Sequence, residues 1–253
     1  MADIFALTDH NAIVTGATSG LGRQFALTLA RAGARVAITG RRADRLEELA
    51  GEIAAFDGRA MPFELDVNDI EAVHRVIDAT ETELGPLSIL INNAGVSVEK
   101  MATEVTVADY DRLMNTNLKA PFFVAQEVGR RMIQHGKGGS IVNIASIAAE
   151  RPVPMLSLYC MSKAAVAHMT RCLALEWARH GINVNAICPG YIETEMNQDF
   201  FASEQGARLI KRFPRGRVGE PRDLDALLLM LAASAGGFIT GAVIPAHDGQ
   251  ALA

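Results

Sequence analysis

Short apolar runs alternate along the whole chain with longer stretches in which apolar residues return at helical spacing. The runs predict strands near Ala12–Thr15, Arg35–Thr39, Ala60–Leu65, Leu87–Ile91, Ser140–Ala145, Asn183–Ile187 and Ala242–Pro245. The stretches between them predict helices. Leu21–Ala32 is one, and Arg42–Ala55 is another, with Leu46, Leu49, Ala50 and Ile53 forming a stripe that faces the sheet. Pro221 suits the first turn of a further helix running to about Ala233. Strand and helix in alternation imply βαβ units. The expected architecture is α/β, a doubly wound parallel sheet of about seven strands with helices on both faces. Residues 1–253 read as one domain without repeat, linker or low-complexity segment. The least regular stretch, 191–219, is expected to be a mobile flap beside the substrate.

Composition narrows the class. Apolar residues make up 49% of the 253 and aromatics only 6%, a balance suited to helices packed on a buried sheet. The net charge of −5 gives no global attraction to nucleic acid or an anionic membrane. The longest apolar run, around Leu227–Ala233, is too short to cross a bilayer, and Met1–Thr8 lacks the pattern of an export signal. A soluble, cytoplasmic protein is expected. Cys160, Cys172 and Cys188 lie far apart in apolar stretches and read as reduced core thiols. The six histidines show no metal-ligand spacing, and no metal site is expected.

Two constellations carry chemistry. Tyr159 and Lys163 stand at i and i+4, on one face of a helix, so the ammonium is expected to stabilise the ionised phenol; Ser146 precedes the tyrosine by thirteen residues. The turn Thr15-Gly16-Ala17-Thr18-Ser19-Gly20-Leu21-Gly22 lies between the first strand and the first helix. There glycines let the backbone approach a pyrophosphate, and the helix N-terminus offers unpaired amides to the anion. Each piece alone has a plain alternative: a tight turn, a strand-end hydroxyl, a helix-interior polar residue.

Taken together, Gly-x-x-x-Gly-x-Gly and Tyr-x-x-x-Lys resemble the classical short-chain dehydrogenase/reductase family over essentially the whole chain. The resemblance extends to Asn92-Asn93-Ala94-Gly95, Asn117 in Asn115-Thr116-Asn117-Leu118, Pro189-Gly190 with Thr194, and Ile239-Thr240-Gly241. It implies a Rossmann-type fold and hydride transfer between a nicotinamide cofactor and a carbonyl or secondary alcohol. Tyr159 is then the general acid or base. Ser146 orients the substrate oxygen, Lys163 lowers the tyrosine pKa and holds the nicotinamide ribose, and Asn117 positions a water. The cofactor contacts so implied are Gly16, Thr18, Ser19, Gly20, Leu21 and Gly22 in the turn and Asp66 and Val67 at the adenine. Asn93, Ala94, Gly95, Pro189, Gly190, Ile192 and Thr194 complete the set, with Tyr159 and Lys163.

Where an NAD enzyme places a carboxylate after the second strand, this chain has Thr39-Gly40-Arg41-Arg42. Arg41 with Thr39, beside Arg42, suits the 2′-phosphate of NADP(H), with NAD(H) as the alternative. The turn lacks the basic residue of many NADP-preferring relatives, and the arginines also read as a charged helix start. The substrate is expected to be a small, largely apolar ketone or alcohol facing Val96, Val153, Met155, Leu156, Tyr191, Met196, Phe200 and Phe201. An alternative is a 3-oxoacyl thioester on acyl carrier protein or coenzyme A, docked by Arg208, Lys211, Arg212, Arg215 and Arg217. A non-catalytic NADP-binding regulator is a third reading. The resemblance also implies a homotetramer or homodimer that pairs the long helices beginning near Val107 and Leu158, with the tail Ala251-Leu252-Ala253 in a subunit contact.

Overall fold

The computed structural model describes residues 4–195 and 197–252, so Met196 and Ala253, named above for the pocket and the tail, lie outside the described residues. Seven strands form one parallel sheet: β1 (Asn11–Val14), β2 (Arg35–Gly40), β3 (Arg59–Glu64), β4 (Ile89–Asn92), β5 (Gly139–Ile144), β6 (Ile182–Pro189) and β7 (Val243–Ala246). Their order is β3-β2-β1-β4-β5-β6-β7. Every predicted strand is present within about two residues of its expected bounds. Central strands are buried on both faces, which explains their unbroken apolar runs. Pro62 and Pro245, which cannot donate to a ladder, fall in the two edge strands β3 and β7.

Helices cover both faces. One face carries α1 (Gly20–Arg31) and α2 (Ala43–Ala54) together with α9 (Asp225–Ala232), whose Phe25, Leu29, Leu46, Leu49, Leu228 and Leu231 pack with Ala12 and Val14. On the other lie α3 (Ile70–Leu84), α4 (Val107–Met114), α5 (Ala120–His135) and α6 (Ser157–Trp177). There Val73, Ile77, Val128, Met132 and Leu173 pack against Ile13 and Leu90. Alternate residues of β1 thus serve opposite cores, as a strand's two-residue period requires. Helices α4 and α5 run on from one another through a π-helical turn, Asn115–Lys119. The order reverses between β1 and β4, which opens a crevice at the carboxyl ends of those strands.

Two expectations change. The 191–219 stretch holds two short helices, α7 (Gln198–Ala202) and α8 (Glu204–Ile210), and a bridge between Ile192 and Gly219 closes its base. Of the three free cysteines only Cys188 is buried, while Cys172 is exposed, because it falls on the outer side of α6. Among the described residues no helix is long and apolar enough to cross a membrane, and no group of acidic, histidine or cysteine side chains is placed to hold a metal ion.

Candidate active site

The glycine turn is built as a cradle. Gly16 and Gly20 adopt φ of 68° and 53°, conformations that side chains disfavour. A Cβ on Gly22 would lie 2.2 Å from Gly16 O and 2.4 Å from Asn93 Nδ2, so the turn closes only around glycine. Asn93 locks it from the neighbouring strand: its Nδ2 donates to Thr15 O and Gly16 O, and its backbone N–H donates to Thr15 Oγ1. Ser19 stands at the N-cap of α1 without making a capping bond, so no side chain occupies the first amides of that helix. An unencumbered helix N-terminus at the switch point of the sheet, approached closely by backbone, fits the pyrophosphate of a dinucleotide. Thr194 arrives on the opposite side, with its Cγ2 3.2 Å from where a Cβ on Gly20 would stand.

At the end of β2 the structure corrects one assignment. Thr39 is fully buried and its hydroxyl donates to Val14 O at 3.2 Å, so it holds β2 to β1 and does not face an anion. Arg41 and Arg42 are exposed. Arg42 folds over the glycine turn, with Nε and Nη2 donating to Thr18 Oγ1. Asp66 is exposed and its Oδ1 accepts from the Asn68 backbone and side chain, which shapes the turn after β3; Val67 is buried beneath it.

Ser146, Tyr159 and Lys163 converge at the carboxyl ends of β5 and β6. Ser146 follows β5 and caps a short helical turn by accepting from Ala148 N–H at 3.1 Å. Tyr159 and Lys163 project from the first turns of α6. Burial pushes the Tyr159 phenol above its usual range, and the adjacent Ser146 hydroxyl opposes that shift. Lys163 is buried, its Nζ donates to Ile144 O at 2.8 Å and lies 5.6 Å from the centre of the Tyr159 ring. Desolvation lowers its pKa to about 8.

Lys163 is not among the groups that shift the Tyr159 phenol. The ammonium lies over the ring with a carbonyl as its partner, and burial of the phenol dominates. A neutral phenol beside a serine hydroxyl is a proton donor set against a ligand oxygen, and further positive charge brought into the site would be needed to favour the phenolate.

Asn117 makes contacts that join two distant segments. It is buried in the π-helical turn, with Oδ1 accepting from Val96 N–H at 2.8 Å and Nδ2 donating to Val96 O and Ser162 Oγ. Its side-chain amide is committed to fixing Val96 and, through Ser162, the carbonyl of Tyr159. Gly95 lies between Asn117 and Lys163, its Cβ position 3.4 Å from Oδ1 and 3.7 Å from Nζ.

Two further residues frame the cleft. Gln250 is buried, accepts from Tyr191 N–H at 2.7 Å and donates to Tyr191 O and Arg217 O, so one amide pins both ends of the 191–219 segment. Gly190 must be glycine to admit it, since a Cβ there would lie 2.2 Å from Gln250 Oε1. Arg151 donates to Gln250 O at 2.9 Å, and its charge reaches the Tyr191 phenol. The aromatic residues expected to line an apolar pocket largely pack on one another: Tyr191 stacks on Phe213 and meets the edge of Phe201, which in turn meets Phe200.

A family model described as short chain dehydrogenase matches residues 10–205. The chain belongs to the classical short-chain dehydrogenase/reductase family, an oxidoreductase family. It is 39% identical over 248 residues to gluconate 5-dehydrogenase of Gluconobacter oxydans (strain 621H), covering 98% of this chain and 96% of that one. It is 38% identical over 250 residues to 2-dehydro-3-deoxy-D-gluconate 5-dehydrogenase of Escherichia coli (strain K12), covering 98% of each. A crystal structure of a gluconate 5-dehydrogenase from Burkholderia cenocepacia J2315 in complex with NADP and tartrate superposes with a TM-score of 0.94 at 34% identity, covering 99% of this chain and 98% of that one.

Proposed function

We propose that the protein is an NADP(H)-dependent dehydrogenase that interconverts a ketone and a secondary alcohol on a polyhydroxylated acid or related polyol. The observation that carries the chemistry is the convergence of Ser146, a partly buried Tyr159 and a buried Lys163 beside the glycine cradle. NADP(H), when bound, supplies or accepts the hydride; Gly16, Ser19, Gly20, Gly22, Asn93 and Thr194 would hold it. Ser146 and Tyr159 hold the substrate oxygen, and the Tyr159 hydroxyl gives it a proton in reduction or takes one in oxidation. Lys163, with one donor on Ile144 O, keeps two for the ribose and the tyrosine.

Arg41 and Arg42, with no carboxylate at the end of β2, support NADP(H) over NAD(H), as does the NADP held by the Burkholderia enzyme. The apolar-ketone expectation gives way here. The aromatic side chains behind it are engaged with one another, Arg151 stands at the cleft wall, and the relatives above act on sugar acids. The thioester alternative also loses ground. Arg208 pairs with Glu204, Arg215 with Asp248, and Arg217 with Asp223 and Asp248, so much of the basic run is neutralised within the chain. We assign 191–219 as the substrate flap.

A groove of about 1000 Å³ between α5 and α6, lined by Leu118, Phe122, Ile133, Met169, Leu173 and Trp177, supports assembly through a second copy on that face. A monomer by light scattering at micromolar concentration would refute it. Free cysteines accord with a reducing compartment, and we place the protein in the cytoplasm.

The function is tested with purified protein, NADPH and matched substrates. A keto sugar acid is expected to be reduced with at least about tenfold higher kcat/KM than an apolar ketone of similar size, about 1.4 kcal/mol of transition-state binding. The opposite order restores the apolar pocket. Tight NADPH binding without turnover of any carbonyl favours a regulatory protein.

A further inference from the structure

Arg42 occupies the N-cap of α2, and its half-exposed guanidinium is held by two partners from other segments. Its Nε and Nη2 lie 3.3 and 3.0 Å from Thr18 Oγ1, and its Nη1 lies 3.5 Å from Glu195 Oε2. Glu195 comes from 153 positions further along the chain, in the segment that follows Thr194 over the glycine turn. Within α2, Glu48 pairs with Arg45 and Glu52 with Arg23. The carboxylate that faces Arg42 is that of Glu195, in the 191–219 segment.

We propose that Glu195 is a specificity-determining residue that acts as an internal surrogate for the cofactor's 2′-phosphate, so that it tempers the preference for NADP(H) over NAD(H). This rests on the reading of Arg42 as a 2′-phosphate ligand. One edge of the guanidinium faces Thr18 and its Nη1 faces Glu195. A dianionic phosphate must either displace the carboxylate or share the guanidinium with it, at a like-charge separation of a few ångströms. A neutral 2′-hydroxyl meets neither penalty. Arg42 and Glu195 are about half exposed, at 45% and 51% of their side-chain area, so the interaction is of the modest, salt-screened kind. An effect on the order of three- to tenfold in affinity follows for one charge at that distance in largely aqueous surroundings.

The experiment is calorimetric titration of the purified full chain with NADPH and with NADH, using the wild type, Glu195→Gln, Arg42→Gln and the double variant. Glu195→Gln keeps the side chain's shape and removes its charge. It is expected to tighten NADPH about three- to tenfold at low ionic strength, to change NADH less than about twofold, and to lose most of its effect in ~0.5 M salt. In the Arg42→Gln background the same substitution is expected to do nothing. Equal tightening of both cofactors would make Glu195 a steric strap and overturn the proposal, as would unchanged or weaker NADPH binding. If Arg42→Gln leaves NADPH affinity unchanged, the Arg42 phosphate site itself fails. If Arg42→Gln weakens NADPH but Glu195→Gln does not tighten it, only the surrogate role falls.

Discussion

Replacing Lys163 by methionine is expected to abolish turnover and to remove the gain in stability that the buried lysine gives the protein at alkaline pH. The lysine is 5% exposed, and burial lowers its pKa from 10.5 to about 8. One pKa unit corresponds to about 1.4 kcal/mol, so holding the ammonium charged in the fold costs about 3 kcal/mol below pH 8. Methionine removes that cost but leaves Ile144 O without its partner, at a penalty of about 1–3 kcal/mol. At pH 7 the variant is therefore expected to be as stable as the wild type or slightly more so.

The pH dependence separates the two contributions. Between the folded pKa of about 8 and the unfolded 10.5, the unfolded chain holds the extra proton, so wild-type stability rises with pH relative to the variant. The difference in unfolding free energy should move by about 2–3 kcal/mol in favour of the wild type from pH 7 to pH 10. Urea unfolding followed through the single tryptophan, Trp177, at one fixed protein concentration measures it. A wild-type minus variant difference that stays constant over that range would show that Lys163 carries no burial penalty.

Tyr159→Phe removes the transferable proton alone, and turnover should fall at least about 10²-fold while NADPH affinity by calorimetry stays within about twofold. A comparable loss of affinity would move the tyrosine from chemistry to binding. Gly22→Ala places a Cβ 2.2 Å from Gly16 O, where only backbone can yield, and is expected to eliminate measurable NADPH binding with a lowered Tm. Retained micromolar binding would mean that the cradle opens more readily than its packing implies. Gly40→Asp, the substitution that introduces an NAD-type carboxylate, puts its Cβ 2.5 Å from Thr18 Cγ2 and should weaken both cofactors by itself. Combined with Thr18→Ser, which removes that methyl group, it is expected to shift kcat/KM toward NADH at least about tenfold; an equal shift from Gly40→Asp alone would refute the steric argument.

The seven strands, the glycine turn and the pairing of Tyr159 with Lys163 were legible in the chain because each depends on local rules, whereas Ser146 was legible only through the family resemblance. Apolar runs mark buried parallel strands, glycines mark a turn no side chain can enter, and an i, i+4 pair shares a helix face. What each group faces across the fold was not legible. Thr39 reads as a strand-end hydroxyl beside two arginines, but the register of β2 on β1 turns it toward Val14 O. Asn117 reads as a free polar group in a helix, yet the π-helical turn aims its amide at Val96, 21 residues earlier. Lys163 lies beside Tyr159 as their helical spacing expects, but the desolvation of both groups depends on how β5, β6 and α6 close over them. Gln250 reaching Tyr191 over 59 positions, and Glu195 reaching Arg42 over 153, are likewise contacts between distant segments. Local propensity fixes which elements form, but hydrogen-bond partners and desolvation are set by the packing of elements far apart in sequence, and only the tertiary structure decides them.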